Sequence, residues 1–261
     1  IALTALTDAS PAACRSSNLD QITIVVKRIP QVVLNFQEQD ICEGTSVTVD
    51  FTVTADDNVV FDIHDQNGFV KQIQGSASGG AQSFTISPSA PGTYTYSVHN
   101  LSEAGVTPAC PGTHTATYNL NVIQLPTANL NNPDITLCQG TPVVFDYQST
   151  GTPNLTVDFL LTNTNDATTF NYSDVTVGGN DNFTLTGLAP GNYNLSLPTV
   201  TDGSVASCSA AGTGQLAINI VAAPGLNDAN FSVNPVCFDE ATSFDFDIQG
   251  NGPFTVRFDD G

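Results

Sequence analysis

Six cysteines carry the chemistry that spacing organises in this chain. Cys14, Cys110 and Cys208 stand 96 and 98 positions apart, and Cys42, Cys138 and Cys237 stand 96 and 99 apart, so two classes alternate along the 261 residues. No C-x-x-C occurs and each cysteine stands singly at long spacing, which disfavours zinc and thioredoxin-type redox sites. Disulfide bonding is the reading that remains. Pairing within one repeat, Cys42–Cys110 and Cys138–Cys208, is expected because an ordinary domain is closed by its own bridge, and it sends Cys14 and Cys237 to partners outside the sequence. The rival scheme joins Cys14 to Cys42 and Cys110 to Cys138 across the joints between repeats, and buried free thiols are the third possibility. Either disulfide scheme implies an oxidising, extracytoplasmic setting.

Carboxylates are the second candidate. Asp56, Asp57, Asp65 and Asn67 fall in turn-like text that suits Ca²⁺, but an EF-hand loop fails because Ile63 and Gln74 occupy positions that need Asp and Glu. These groups do not recur in register between repeats, so no resident metal is expected, with an irregular Ca²⁺ site as the alternative. Catalytic signatures are missing. H-E-x-x-H, the P-loop and G-x-S-x-G do not occur, and the closest text, Gly75-Ser76-Ala77-Ser78-Gly79, puts Ala77 where a nucleophile belongs. His64, His99 and His114 have no counterparts in the next repeat. The chain is therefore expected not to be an enzyme.

The elements that position these residues read as strands. Between residues 29 and 125 apolar residues alternate with period two, and no segment keeps helical spacing for more than a turn. Strands are predicted over 31–36, 46–54, 58–65, 68–74, 81–87, 93–100 and 113–123, a spacing typical of a β-sandwich. Val47, Val49, Phe51 and Val53 form one face, with Thr48, Asp50 and Thr52 on the other. The next copy repeats this with Val143, Phe145 and Tyr147 around Asp146, and the third with Phe244 and Phe246 around Asp245.

The repeat is visible beyond the cysteines. LTALTDASPAAC, ending at Cys14, lies over LPTVTDGSVASC, ending at Cys208, and ICEGTSVTVDF, LCQGTPVVFDY and VCFDEATSFDF align from Ile41, Leu137 and Val236. Pro30, Pro126 and Pro224 follow the last strand of each copy and stiffen the joints. The expected organisation is the C-terminal part of a sandwich repeat at 1–28, complete immunoglobulin-like repeats at 29–125 and 126–224, and the N-terminal part of another at 225–261. The whole reads as an excerpt of a longer tandem array. Ala90-Pro91-Gly92-Thr93-Tyr94 and Ala189-Pro190-Gly191-Asn192-Tyr193 precede the sixth strand in each complete repeat. They have the layout of a tyrosine corner, in which the Tyr hydroxyl caps upstream backbone. All-β tandem sandwiches of immunoglobulin-like or fibronectin-III-like type are the fold class.

Charge narrows the partners. With 5 basic and 25 acidic residues the formal charge is −20, so nucleic acid and anionic lipid are not expected to bind. No run approaches eighteen consecutive apolar residues, so direct membrane insertion is not expected either. Asp50, Asp146 and Asp245 on the second strand, with Asp62 and Asp158 on the third, leave an acidic outer stripe that opposes edge-to-edge aggregation.

Acidic, Lys-poor, Thr- and Asn-rich repeats of the form [IL]-C-x-G-[TS]-x-V followed by A-P-G-x-Y-x-[LY] resemble the Ig-like and PKD-like repeats of giant surface proteins of Bacteroidota, the SprB-like gliding adhesins. The resemblance implies export by the type IX secretion system, a cell-surface location, and a role as stalk or filament of an adhesin. The expected partners are neighbouring repeats of the same chain, other filament chains and surface polysaccharide. Ancillary polysaccharide-binding modules of a secreted enzyme and a self-polymerising fibre subunit are the alternatives.

Overall fold

In a computed structural model, residues 6–7, 9–16, 25–35, 38–105, 110–114, 117–231 and 237–259 are described. The described residues form strands and no helix. Two compact units divide the chain, Ile1–Val122 and Ile123–Gly261.

In the first unit the strands are β1 (Leu6–Thr7), β2 (Arg15–Ser16), β3 (Gln31–Leu34), β4 (Gln39–Cys42), β5 (Val47–Thr54), β6 (Val59–Asp65), β7 (Gly68–Gly75), β8 (Gln82–Ile86), β9 (Gly92–Glu103), β10 (Thr113–His114) and β11 (Thr117–Ile123). In the second they are β12 (Thr127–Leu130), β13 (Ile135–Cys138), β14 (Val143–Thr150), β15 (Leu155–Asn163), β16 (Thr169–Thr176), β17 (Gly179–Leu185), β18 (Gly191–Thr201), β19 (Ser209–Ala210), β20 (Gln215–Val221), β21 (Gly225–Phe231) and β22 (Phe244–Gln249).

One sandwich of the first unit packs the sheet β10-β3-β5-β8 against β4-β11-β9-β6-β7. Its counterpart in the second packs β12-β14-β17 against β13-β20-β18-β15-β16, with β19 on the edge of β18. These are the two sheets of an immunoglobulin-like fold, and tandem β-sandwiches are what the chain forms. The period-two text explains the faces. β5 and β14 both alternate strictly between buried and exposed, so Val47, Val49, Phe51 and Val53 point inward, as do Val143, Phe145 and Tyr147. Burying one such side chain contributes about 1.5–3 kcal/mol, and nineteen residues of the first core and seventeen of the second share that role.

The strand prediction needs correction in two places. No strand is predicted between 36 and 46, yet Gln39–Cys42 is a strand that joins the opposite sheet, as Ile135–Cys138 does in the second unit, and the single strand predicted over 113–123 is β10 and β11 of different sheets. Gly44 and Gly140, at φ 79° and 86°, make the hop, in a left-handed conformation that costs a side-chain-bearing residue more. Ile135–Cys138 runs parallel to β20, with Cys138 beside Val221.

The hairpin β21–β22 pairs Phe231 with Phe244 and Gly225 with Gln249. Phe246 is 38% exposed, so the inward face expected of Phe244 and Phe246 is only partly covered among the described residues. Ile22 and Ile24, expected on the last strand of the first partial repeat, lie outside the described residues.

Candidate functional site

Three places gather the chemistry-bearing residues: the corners, the ends of each sandwich, and the outer face of β6 and β9. At the corners, Tyr94 donates its hydroxyl to the Ala90 carbonyl at 2.9 Å, and Tyr193 donates to Ala189 at 2.9 Å. Tyr94 stands opposite Leu120 and Tyr193 opposite Ile218, so the register is the same in both repeats. Each hydroxyl ties the loop ahead of the long strand to that strand, the bond a tyrosine corner makes.

The cysteines are placed by the strand ends. Cys42 and Cys208 are disulfide-bonded. Cys110 is a half-buried free thiol, and Cys138 and Cys237 are exposed free thiols. Neither Cys42–Cys110 nor Cys138–Cys208 therefore forms, which corrects the within-repeat pairing. Nor does Cys110–Cys138 of the rival scheme.

Strand direction explains why. In the second unit Cys138 lies level with Val221, at the end where Ile220 meets Gly191. Cys208 follows the other end of the same long strand, where Thr201 meets Ser209. The length of β18, 11 residues, lies between them, on the order of 30 Å. A disulfide requires Cα atoms within about 7 Å. The first unit repeats the arrangement: Asn121 donates to Asp40, which sets the Cys42 end near Gly92, whereas Pro111 bridges Ser102 at the far end of β9.

Glycines hold close the loops that follow Cys110 and Cys208. Gly112 donates to the Leu101 carbonyl and Gly212 to that of Leu197, at 2.8 and 3.1 Å. A Cβ on either would come within 2.4 Å of the same leucine, so a larger residue is excluded there.

The acidic turns have partners of their own. Asp57 bonds the Lys27 ammonium, and Asp56 accepts from the Arg28 backbone N–H at 2.7 Å. The hydrogen bond to Asp57 holds the Lys27 ammonium pKa above its usual value. Lys27 also stands 3.6 Å from Glu103, whose side chain is fully buried and accepts no hydrogen bond. The weak Ca²⁺ candidates Asp56 and Asp57 thus face the chain's own cations. Asp65 accepts from the backbone N–H of Asn67 at 2.7 Å, an Asx turn. Among the described residues no group of three or more His, Cys, Asp or Glu side chains is arranged to hold a metal.

This ionic cluster was missed from the sequence. Its signal was there: two of the chain's five basic residues adjoin at Lys27-Arg28, and an acidic pair, Asp56-Asp57, follows the strand that β3 pairs with.

At the corresponding end of the second unit no ion pair is found among the described residues. Asp202 is buried, and its Oδ1 accepts from the backbone N–H of Ser204, the Ser204 hydroxyl and the backbone N–H of Cys208 at 3.1, 2.6 and 3.0 Å. Asp202 thereby positions bonded Cys208.

On the outer face of the first unit His64 and His99 stack, ring centroids 4.3 Å apart, and Phe69 meets His64 edge-on. Asp62, opposite His99, accepts from Asn100 at 2.8 Å and Gln72 at 3.1 Å, bonds that hold its carboxyl below the usual carboxylate range. The side chain of His114 lies outside the described residues.

No family model matches the chain, and no curated protein matches it. Several solved structures resemble it. A three-Ig-domain structure of titin, an E-to-A mutated variant, matches over 87% of this chain and 78% of its own at 15% identity, with a TM-score of 0.48. Fibronectin(III)-like modules of CbhA from Clostridium thermocellum match over 73% and 94% at 14% identity, TM-score 0.32. The N-terminal four Ig domains of a Dscam1 isoform match over 81% and 52% at 15% identity, TM-score 0.31. The chain is built of Ig-like repeats on the strength of its own sheets and corners.

Proposed function

We propose that this chain is a non-catalytic structural segment of an extracellular adhesin, a run of sandwiches that holds a binding tip away from a cell surface. One observation carries the reading: what the two units share in register is core, corner and cysteine class, while surface chemistry such as His64 and His99 is not repeated. Repetition of scaffold without repetition of a site is what a spacer requires. Each sandwich has strands of up to 12 residues, about 40 Å long, so serial copies gain reach. Bonded Cys42 and Cys208 fit an oxidising, extracellular location. The motif resemblance to SprB-like gliding adhesins supports a Bacteroidota surface protein exported by type IX secretion, with neighbouring repeats, other filament chains or surface polysaccharide as its contacts.

Immunogold labelling of intact, unpermeabilised source cells with antibody against residues 29–224 tests this. Label along filaments beyond the envelope is expected, and label seen only after permeabilisation overturns it.

A second reading, polysaccharide-binding modules of a secreted enzyme, is favoured by exposed Phe69 beside His64 and His99. Retardation of the chain in polysaccharide-loaded native gels that disappears in Phe69→Ala would move the assignment to this reading.

A further inference from the structure

Glu103 and Asp202 each stand nine residues after a corner tyrosine, Tyr94 and Tyr193, and both are buried. A buried carboxylate is normally satisfied by donors, and Asp202 takes three of them through Oδ1. Glu103 takes none through either oxygen. Beside it instead is the Lys27 ammonium, 3.6 Å from Oε2, and the same ammonium is in direct contact with the Asp57 carboxylate. An amine, a carboxyl group and a buried carboxylate without hydrogen bonds are the two reactants and the proton carrier for an amide bond between side chains.

We propose that Lys27 and Asp57 are the site of an intramolecular isopeptide bond, formed by the folded chain itself with Glu103 as the proton relay. The inference concerns a covalent modification within the first unit and does not depend on the spacer reading above.

The fold holds the three groups together. Lys27 precedes β3, Asp57 lies in the turn between β5 and β6, and Glu103 ends β9 opposite Val59. The Ala104 backbone N–H donates to the Asn58 carbonyl at 2.7 Å, which ties the end of β9 to that turn. The Arg28 backbone N–H donates to Asp56 at 2.7 Å, which pins the segment carrying Lys27 to the same turn and engages Asp56. Asp57 is left as the carboxyl group that faces the ammonium. Contact fixed by the fold removes the entropy cost of bringing amine and carboxyl together.

The step is a condensation with no change of oxidation state. The ammonium passes a proton to Asp57 through their hydrogen bond, leaving an amine and a carboxylic acid, the pair that poorly hydrated surroundings favour over two charges. Nζ of Lys27 then attacks Cγ of Asp57. Glu103 takes a proton from the nitrogen and returns it to the departing hydroxyl; the Cγ–O bond breaks, water leaves, and Glu103 is again a carboxylate. The new amide closes a loop that contains β3, β4 and β5. In the second repeat Ile123 takes the place of Lys27, and Thr152 and Pro153 take those of Asp56 and Asp57, so one such bond is expected in the chain.

Mass spectrometry of the reduced, denatured 261-residue chain tests the proposal. A mass below that of the sequence by one water is expected, and fragmentation of a digest should place a branch between Lys27 and Asp57. Glu103→Gln and Asp57→Ala should each restore the full mass, with circular dichroism and cooperative unfolding showing that the sandwich still forms. Should Glu103→Gln not fold, the unmodified sequence and Asp57→Ala still decide. Full mass in the folded chain overturns the proposal. So does water loss without a branched peptide, which a cyclic imide at Asp57 would give, and so does a branch at Glu103 in place of Asp57. A Lys27–Asp57 branch that persists in folded Glu103→Gln overturns the relay.

Discussion

Phe51 meets Phe61 edge-on in the first sandwich, centroids 5.3 Å apart at 78°, and Phe145 meets Phe159 in the second at 5.4 Å and 75°. The geometry is nearly the same, but the residues are not equivalent in register. Val47 faces Ile86 and Val143 faces Leu185, so Phe145 corresponds to Val49 and Tyr147 to Phe51. On the facing strand His64 meets Ser97 and Leu160 meets Ser196, so Phe159 corresponds to Ile63 and Val157 to Phe61. Only the ring on the facing strand changes place, from the position of Phe61 to that of Ile63; Tyr147 keeps a ring where Phe51 stands and meets Phe159 at 5.3 Å and 72°, and Phe145 adds one where the first core has Val49. Interiors are filled to fixed density, so the ring that leaves the Phe61 position is replaced there by the smaller Val157.

The second core holds more aromatic surface. Phe159 packs against Phe145, Tyr147 and Phe183, with centroids at 5.4, 5.3 and 4.9 Å. Phe159→Ala should therefore be the most damaging single change, costing about 4 kcal/mol, and should exceed Phe61→Ala by about 1 kcal/mol from lost ring pairing. Calorimetry of the two variants checks this; equal losses would break the contrast between the cores.

Ring exchange sharpens the same comparison. Ile63→Phe in the first core should cost about 1–3 kcal/mol by overpacking. Adding Phe61→Val, which gives the first core the Val157 and Phe159 arrangement, should recover at least half of that in urea unfolding. A double variant worse than the single one would show that the two cores are not interchangeable in shape.

The corners should differ less. Tyr94→Phe and Tyr193→Phe each remove one hydroxyl bond worth about 1 kcal/mol. The loss should be larger at Tyr193, which is buried where Tyr94 is half-buried, and the pair of chemical denaturation midpoints decides it.

Titration separates the units at both ends of the pH scale. Burial pushes the Tyr96 phenol up to about 12, and burial with the 2.6 Å bond to Asp174 raises that of Tyr147. A folded pKa above the unfolded one gives stability that is whole below about pH 10 and is lost as pH rises through the folded value. Phenolate absorbance from these tyrosines should appear late and together with unfolding. The effect at Asp62 is the smallest and has the opposite sign. Its depressed pKa gives stability that is present above the ordinary carboxylate range and is lost as pH falls through the folded value. Asp62→Asn should flatten acid unfolding of the first unit and leave the second unchanged.

Much of this was legible in the sequence because alternation and repetition are local. Val47 to Val53 declare their inward face by period two alone, and Tyr94 and Tyr193 announce the corner by sitting just after Pro-Gly. The short strands Gln39–Cys42 and Ile135–Cys138 were not legible, since four residues before a Gly turn are too few to show alternation and read as loop. Nor was the partner of Asp57, because Lys27 is thirty residues away and only folding brings it near.

Composition, periodicity and the doubled motifs determined that the chain is a series of acidic β-sandwiches with a fixed set of inward residues. The tertiary structure alone decided which cysteines bond. Sequence spacing counts residues, whereas a disulfide depends on which end of a sandwich each sulfur reaches. A strand of 11 or 12 residues carries the two cysteines of one repeat to opposite ends of it.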